Sequence, residues 1–195
     1  MKKPCVQNRF AFYLMSLEFK LRDRFRPPET ILEETGLQPG MAVLDLGCGP
    51  GGFSLAAAQQ VGPKGIVYAL DIHPLALQMV RRTAERKHLT NLRVLDGGEL
   101  AVLPRHSVDL VLLYDVLHDL AEPEPVLAEL HRVLRPAGSL SVSDHHLKDE
   151  NIWETITVAG LFRFDGRRRW TIRFEKNEPA GRMEINCISE KGTIY

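Results

Sequence analysis

Residues 41–55, Met-Ala-Val-Leu-Asp-Leu-Gly-Cys-Gly-Pro-Gly-Gly-Phe-Ser-Leu, constrain the fold of this chain more than any other stretch. Residues 41–46 are a short aliphatic run carrying one carboxylate, Asp45. Pro39-Gly40 bounds them on one side and glycines on the other. Such a run reads as a strand buried on both faces. Gly47, Gly49, Gly51 and Gly52 let the backbone turn tightly and approach a ligand where a Cβ would intrude. Residues 53–61 have helical composition, and Gly62-Pro63 stops them. Strand, glycine loop and helix make a ligand-binding turn. The helix start offers unpaired N–H groups and a partial positive charge.

The pattern repeats downstream. Residues 65–70 read as a second strand ending at Asp71. An acid at that place in a βαβ unit accepts from the two ribose hydroxyls of a nucleoside. The alternative is a helix N-terminal acid, because Pro74 opens the next helix. That helix, 74–88, divides into an apolar side with Leu75 and Met79 and a basic side over 82–86. A third strand, 91–95, leads into Asp96-Gly97-Gly98-Glu99. A fourth, 108–113, leads into Tyr114-Asp115 and then His118-Asp119. A helix over 122–134 turns Val126, Leu127, Leu130 and Leu134 inward, and a fifth strand, 139–143, ends at Asp144-His145-His146. A helix is expected over 152–160. Residues 161–164 and 170–174 alternate about Asp165-Gly166, a hairpin signal. Upstream, Phe10, Leu14, Leu17 and Leu21 share one face of a helix over 7–24, packed on the core or closing over a substrate. A second short helix spans 29–35.

Two cofactor classes use such a glycine turn. Gly47, Gly49 and Gly52 match the G-x-G-x-x-G of NAD-dependent oxidoreductases. Asp45 separates the readings, since a carboxylate there repels a pyrophosphate and suits a cationic ligand bearing an amino group. Asp45-Leu-Gly47-Cys48-Gly49-Pro-Gly51 resembles the first motif of the class I S-adenosylmethionine-dependent methyltransferases, and second and third motifs follow in register over residues 39–174. The likeness runs toward the small-molecule, quinone-biosynthesis type. It implies an α/β Rossmann-like three-layer sandwich with a seven-stranded, mostly parallel sheet in the order 3-2-1-4-5-7-6, a C-terminal antiparallel hairpin and an N-terminal helical lid. The whole is one domain, with the lid over 1–38, the core over 39–174 and a tail over 175–195. The resemblance implies S-adenosyl-L-methionine as cofactor, held by Asp45, Gly47, Cys48, Gly49 and Gly51. Asp71 and Ile72 fall on the ribose side and Tyr114 beside the transferable methyl group. The acceptor for the adenine amino group is Glu99 counted back from Leu103-Pro104, or Gly98 or Asp96 counted forward from the strand.

Composition narrows the rest. With 195 residues, 25 Lys and Arg against 25 Asp and Glu, the chain suits one domain and carries no global field for nucleic acid or anionic membranes. The charge is uneven, with basic stretches at the N-terminus and over 163–173 that leave room for a partner surface. Three cysteines without a Cys-x-x-Cys support neither a disulfide framework nor a structural zinc site, and a cytoplasmic setting fits. No apolar run is long enough to span a bilayer.

Chemistry should sit where the strands end. His145 or His118 is the expected general base, with Asp115 beside them, because histidine titrates near working pH. His145 and His146 would point in opposite directions in extended chain. A magnesium site of Asp115, Asp144 and His145 is the metal alternative, and Cys5 a soft nucleophile or ligand for a metalloid substrate. With no inserted substrate domain and no Asn-Pro-Pro-Tyr-like motif after strand four, the acceptor is expected to be a small molecule rather than nucleic acid. A non-catalytic chain that binds the cofactor alone is a third reading.

Overall fold

The computed structural model describes residues 17, 21, 22 and 24–177. A short helix, α1 (Pro28–Leu32), passes into a 3-10 turn (Glu33–Thr35). Strands and helices then alternate: β1 (Ala42–Leu46), α2 (Gly52–Val61), β2 (Ile66–Asp71), α3 (Pro74–Arg86), β3 (Leu92–Asp96), β4 (Val108–Tyr114), α4 (Pro123–Val133), β5 (Leu134–Ser143) and α5 (Asp149–Thr157). The antiparallel β6 (Phe162–Arg167) and β7 (Ile172–Lys176) close the sheet. Strand order is β3-β2-β1-β4-β5-β7-β6, as the resemblance implies.

Alternation along the strands builds the layers. Val43 faces α1 and α2, in a cluster with Ile31, Leu32, Ala57 and Val61. Leu44 and Leu46 face the opposite layer, clustered with Leu127 and Leu130 of α4 and Ile152 and Ile156 of α5. Successive side chains of a strand point to opposite faces, so one apolar run serves both cores.

Several local expectations shift. On α3 the buried stripe is Ala76, Leu77, Val80 and Ala84, not Leu75 and Met79. Leu134 leaves the α4 helix and starts β5, five residues before 139; it pairs with Val108, and a register irregularity between Val108 and Leu110 absorbs the extra chain. The 152–160 helix starts earlier, at Asp149, where Asp149 and Glu150 occupy its first turn. Asp165-Gly166 does not turn the hairpin. It forms a strand irregularity, and the chain reverses between Arg167 and Ile172, closed by Arg168 N–H donating to the Thr171 carbonyl at 2.8 Å. β7 runs on to Lys176, so residues 175 and 176 belong to the sheet rather than to a tail, and 178–195 lie outside the described residues.

Of the expected N-terminal helix, Phe10 and Leu14 lie outside the described residues. Leu17 and Leu21 are helical and exposed, and the side chain that reaches inward is Arg22. Behind it, Glu34 ties the segment to the terminal hairpin. Its carboxylate accepts from Trp170 N–H at 2.9 Å and from the N–H and hydroxyl of Thr171, both at 3.1 Å. Arg26 lies over the Trp170 ring at 4.4 Å. Because Thr171 is buried, removing the carboxylate strands donors away from water. Glu34→Ala is therefore expected to cost about 2–3 kcal/mol in urea unfolding. A change below about 0.5 kcal/mol, the scale of a neutral surface substitution, would contradict this role.

Candidate active site

The glycine loop leaves β1 at Leu46 and is pinned to the end of β2. Gly47 and Cys48 donate their N–H groups to the Leu70 carbonyl at 2.8 and 3.0 Å. Gly49 donates to Asp71 Oδ2 at 2.8 Å. Asp71 also accepts from His73 N–H at 2.8 Å, so it holds the loop and the turn after β2 together. The α3 helix is capped by His73, whose Nδ1 accepts from Leu75 N–H, rather than by Asp71. An ionised carboxylate offers about four lone-pair sites, so the partly exposed Asp71 retains acceptor capacity toward hydroxyls.

Gly47 has φ +75, and a Cβ there would lie 2.2 Å from Val116 Cγ2. Only glycine fits. Gly51 carries a packing constraint: at φ +90 it caps α2, and a Cβ there would press on Val80.

Asp45 is 3 % exposed and accepts a hydrogen bond from the Ser54 hydroxyl. Burial pushes its pKa up to about 7; the Ser54 hydrogen bond opposes that, and the nearby Asp71 charge adds to it. Burial also pushes the Cys48 thiol and the Tyr114 phenol up. Ser54, fully buried on the first turn of α2, escaped the sequence reading; its place nine residues after an acid that precedes a glycine loop was the available signal.

Asp45, Gly47, Cys48, Gly49, Tyr114 and Asp115 line one cavity, joined by Phe53 and by Arg22 from the N-terminal segment. Tyr114 contributes its ring, edge-on to Phe53 at 4.6 Å, while its hydroxyl pairs with Ser141 at 2.9 Å. Ile72 is 71 % exposed beside Asp71, an apolar surface at the rim, and a Cβ on Gly97 would meet it at 2.6 Å. Glu99 and Asp96 form a capping box: Glu99 accepts from Asp96 N–H at 2.7 Å, and Asp96 accepts from Gly98 N–H at 2.9 Å. Glu99 is thus turned back onto its own loop.

The ends of β4 and β5 bring the expected catalytic residues together. Asp115 has φ +53, a left-handed kink at the end of β4, while its N–H donates to the Ser143 carbonyl at 2.8 Å. The kink lets its carboxylate meet His145, 2.7 Å from Nδ1 and 3.1 Å from the backbone N. Asp144 pairs with His118 in the same way, 2.8 Å from Nδ1, and accepts from the N–H groups of His118 and His146. Burial works to raise the Asp144 pKa, but these hydrogen bonds and the His118 ring hold it below the ordinary carboxylate value. His145 and His146 do not diverge: the chain turns after Ser143, and their ring centroids lie 3.8 Å apart, with His118 4.2 Å from His146. Among the described residues no group of three or more His, Cys, Asp or Glu is placed to hold a metal ion. Asp115 and Asp144 are each committed to a histidine. Cys5 lies outside the described residues.

Strand order, glycine loop, and an acid near the carboxyl end of each of the first two strands together define a class I methyltransferase fold. The sequence matches the family described as a methyltransferase domain over residues 37–166. It is 30% identical over 149 residues to a demethylmenaquinone methyltransferase of Listeria welshimeri, covering 76% of this chain and 62% of that protein. The chain therefore spans less than two thirds of that relative. Among solved structures, a SAM-dependent methyltransferase from Aquifex aeolicus superposes with a TM-score of 0.67 at 29% identity, over 76% of this chain and 87% of that one. An arsenic(III) S-adenosylmethionine methyltransferase from Chlamydomonas reinhardtii, at 22% identity and a TM-score of 0.59 over 75% of this chain and 66% of that one, shares the fold. The chain belongs to the S-adenosylmethionine-dependent methyltransferase family.

The raised Asp45 pKa has two consequences. Between the unfolded carboxylate value near 4 and about 7, the folded chain holds a proton that the unfolded chain has lost, so this group's contribution to stability declines as pH rises through that window. Asp144 acts oppositely: its contribution is present above the unfolded value and is lost as pH falls through its lowered pKa. An ammonium beside Asp45 would favour its ionised form, so S-adenosylmethionine bound with its ammonium there should release a proton below pH 7. Its affinity should fall by up to about tenfold per pH unit below that point. Titration calorimetry in buffers of different ionisation enthalpy checks this, and pH-independent affinity between 5.5 and 7.5 would contradict it.

Proposed function

We propose that this chain transfers the methyl group of S-adenosylmethionine to a small-molecule acceptor whose nucleophile is generated by loss of a proton, a hydroxylated aromatic ring of the quinol type. The observation that supports it best is that Asp115, which lines the same cavity as Asp45 and the glycine loop, holds His145 through Nδ1. When bound, S-adenosylmethionine supplies an electrophilic methyl carbon on a sulfonium. The residues of the chain divide the remaining work. Asp45 holds the α-ammonium, Asp71 accepts from the ribose hydroxyls, and Ile72 and the backbone at Gly97 flank the base. Asp115, taking the Nδ1 proton of His145 in a hydrogen bond, fixes the tautomer that leaves Nε2 as the proton acceptor. Transfer of a ring hydroxyl proton to that Nε2 leaves a phenolate, which is nucleophilic at oxygen and, by delocalisation, at ring carbon.

His118 stands in a parallel arrangement with Asp144 and is less exposed than His145. It serves as the inner wall of the acceptor site, packed through the tilted His146 ring against His145. The name of the Listeria relative, a demethylmenaquinone methyltransferase, supports a quinol-type acceptor.

His145→Ala is expected to lower turnover on a menaquinone-type quinol by about 10²–10⁴-fold, the range for a lost general base, without changing cofactor affinity. Asp115→Asn should lower it by a smaller factor and alter the pH profile. Full turnover in both His145→Ala and His118→Ala, measured by transfer of labelled methyl groups, would overturn the general-base assignment.

A further inference from the structure

The described part of the N-terminal helical stretch turns Arg22 inward and leaves an apolar stripe outside. Leu17, Leu21 and Phe25 follow one another at intervals of four residues and are 64 %, 59 % and 78 % exposed. Side chains at that spacing lie along one side of a helix. Three large apolar groups in one row make a patch, which soluble surfaces rarely carry without a use for it.

Cations frame the stripe. Arg24 and Arg26 are exposed on the same stretch. The Arg26 guanidinium carbon lies 4.4 Å from the centre of the Trp170 ring, and that of Arg169 lies 4.8 Å from it. The β6–β7 reversal, with exposed Arg168 and Arg169, is thereby joined to the end of the stripe. The other arginines of the hairpin are neutralised: Arg163 pairs with Glu175, Arg167 with Asp149 and Arg173 with Asp165. Among the described residues no carboxylate pairs with Arg24, Arg26, Arg168 or Arg169. Glu34, the acid that meets this turn, is committed to the backbone of Trp170 and Thr171.

A row of apolar side chains bordered by unpaired arginines matches the boundary of an anionic bilayer, which offers acyl chains to the first and headgroup phosphates to the second. Tryptophan suits the headgroup level between them. A second copy of this chain fits less well, because a two-fold contact through the stripe would set the arginines against their own copies. We propose that Leu17, Leu21 and Phe25, with Arg24, Arg26, Arg168 and Arg169, dock the chain on an anionic lipid surface. The chain lies on that surface without crossing it, since no helix among the described residues is long and apolar enough to span a membrane. The whole chain balances 25 bases with 25 acids, so the attraction is local to this patch. Leu21 adjoins Arg22, which lines the cavity with Asp45 and Asp115, so docking brings the lipid surface to the segment that borders the site. The proposal goes beyond the methyl-transfer reading, and gives an acceptor dissolved in lipid a route to the site.

The test is flotation of the full chain with vesicles of phosphatidylcholine alone, or with about 30 % phosphatidylglycerol, in about 0.05 M and 0.5 M salt. Neither cofactor nor acceptor is present, so the outcome is independent of the methyl-transfer reading. Wild type is expected to float with the anionic vesicles at low salt, and to bind less at high salt or without phosphatidylglycerol. Leu21→Ser with Phe25→Ser should weaken that binding by about 10–100-fold. Arg168→Gln with Arg169→Gln should weaken it by about 10–30-fold. All four positions are exposed, and an unchanged melting temperature checks that each pair leaves the fold intact. Absence of wild-type binding to anionic vesicles at low salt would overturn the proposal, as would full binding retained by either folded pair. Self-association in sedimentation equilibrium, lost in Leu21→Ser with Phe25→Ser and unaccompanied by vesicle binding, would assign the stripe to a second copy instead.

Discussion

A carboxylate buried at the end of the central strand sets the terms for the rest of this structure. Asp45 sits on β1 between two parallel neighbours, opposite Ala69 and Leu112, with Ser54 as its hydrogen-bonding side chain. Burying such a group is costly unless something cationic or a donor meets it. Ser54 can reach it only if α2 begins immediately after the glycine loop, so the buried acid and the helix start fix one another. Asp71 then takes the Gly49 N–H from the next strand and ties the loop to β2. The raised Asp45 pKa is the sign of an incompletely solvated charge, which a ligand ammonium would relieve.

Sheet topology divides the labour. The strand order reverses between β1 and β4, where a crevice opens beyond the carboxyl ends of the strands. The β1–β2–β3 side supplies Asp45, the glycine loop, Asp71, Ile72 and Gly97. The β4–β5 side supplies Tyr114, Asp115, Asp144 and the three histidines. Asp115 belongs to both, because its left-handed backbone turns the carboxylate across the crevice edge toward β5 while it faces Arg22. A left-handed Asp is uncommon, and such conformations concentrate where function fixes the backbone.

What could be read in the sequence was whatever is written locally. Asp45, the glycines and Asp71 stand at fixed offsets within one βαβ unit, so their places followed from pattern. The sheet order followed from the family resemblance. Contacts between distant stretches did not follow. Ser54 on Asp45, Glu34 on the Trp170–Thr171 turn and Arg22 on Asp115 each depend on tertiary placement, and no periodicity encodes it. Local chemistry also misled where two uses of a residue compete. Asp165-Gly166 has the composition of a turn yet lies within a strand, and the reversal falls instead between Arg167 and Ile172. Alternation of His145 and His146 assumed an extended chain, but the strand stops at Ser143. The third loop shows the same competition: Glu99, an acid at a suitable count from Pro104, satisfies the backbone of its own 3-10 turn.

The most direct test of this account is a calorimetric titration of the purified chain with S-adenosylmethionine, with NAD as the control ligand. Saturable micromolar binding of S-adenosylmethionine and none of NAD is the result the buried Asp45 predicts. Binding of NAD instead, or of neither ligand by a chain shown to be folded, would contradict it.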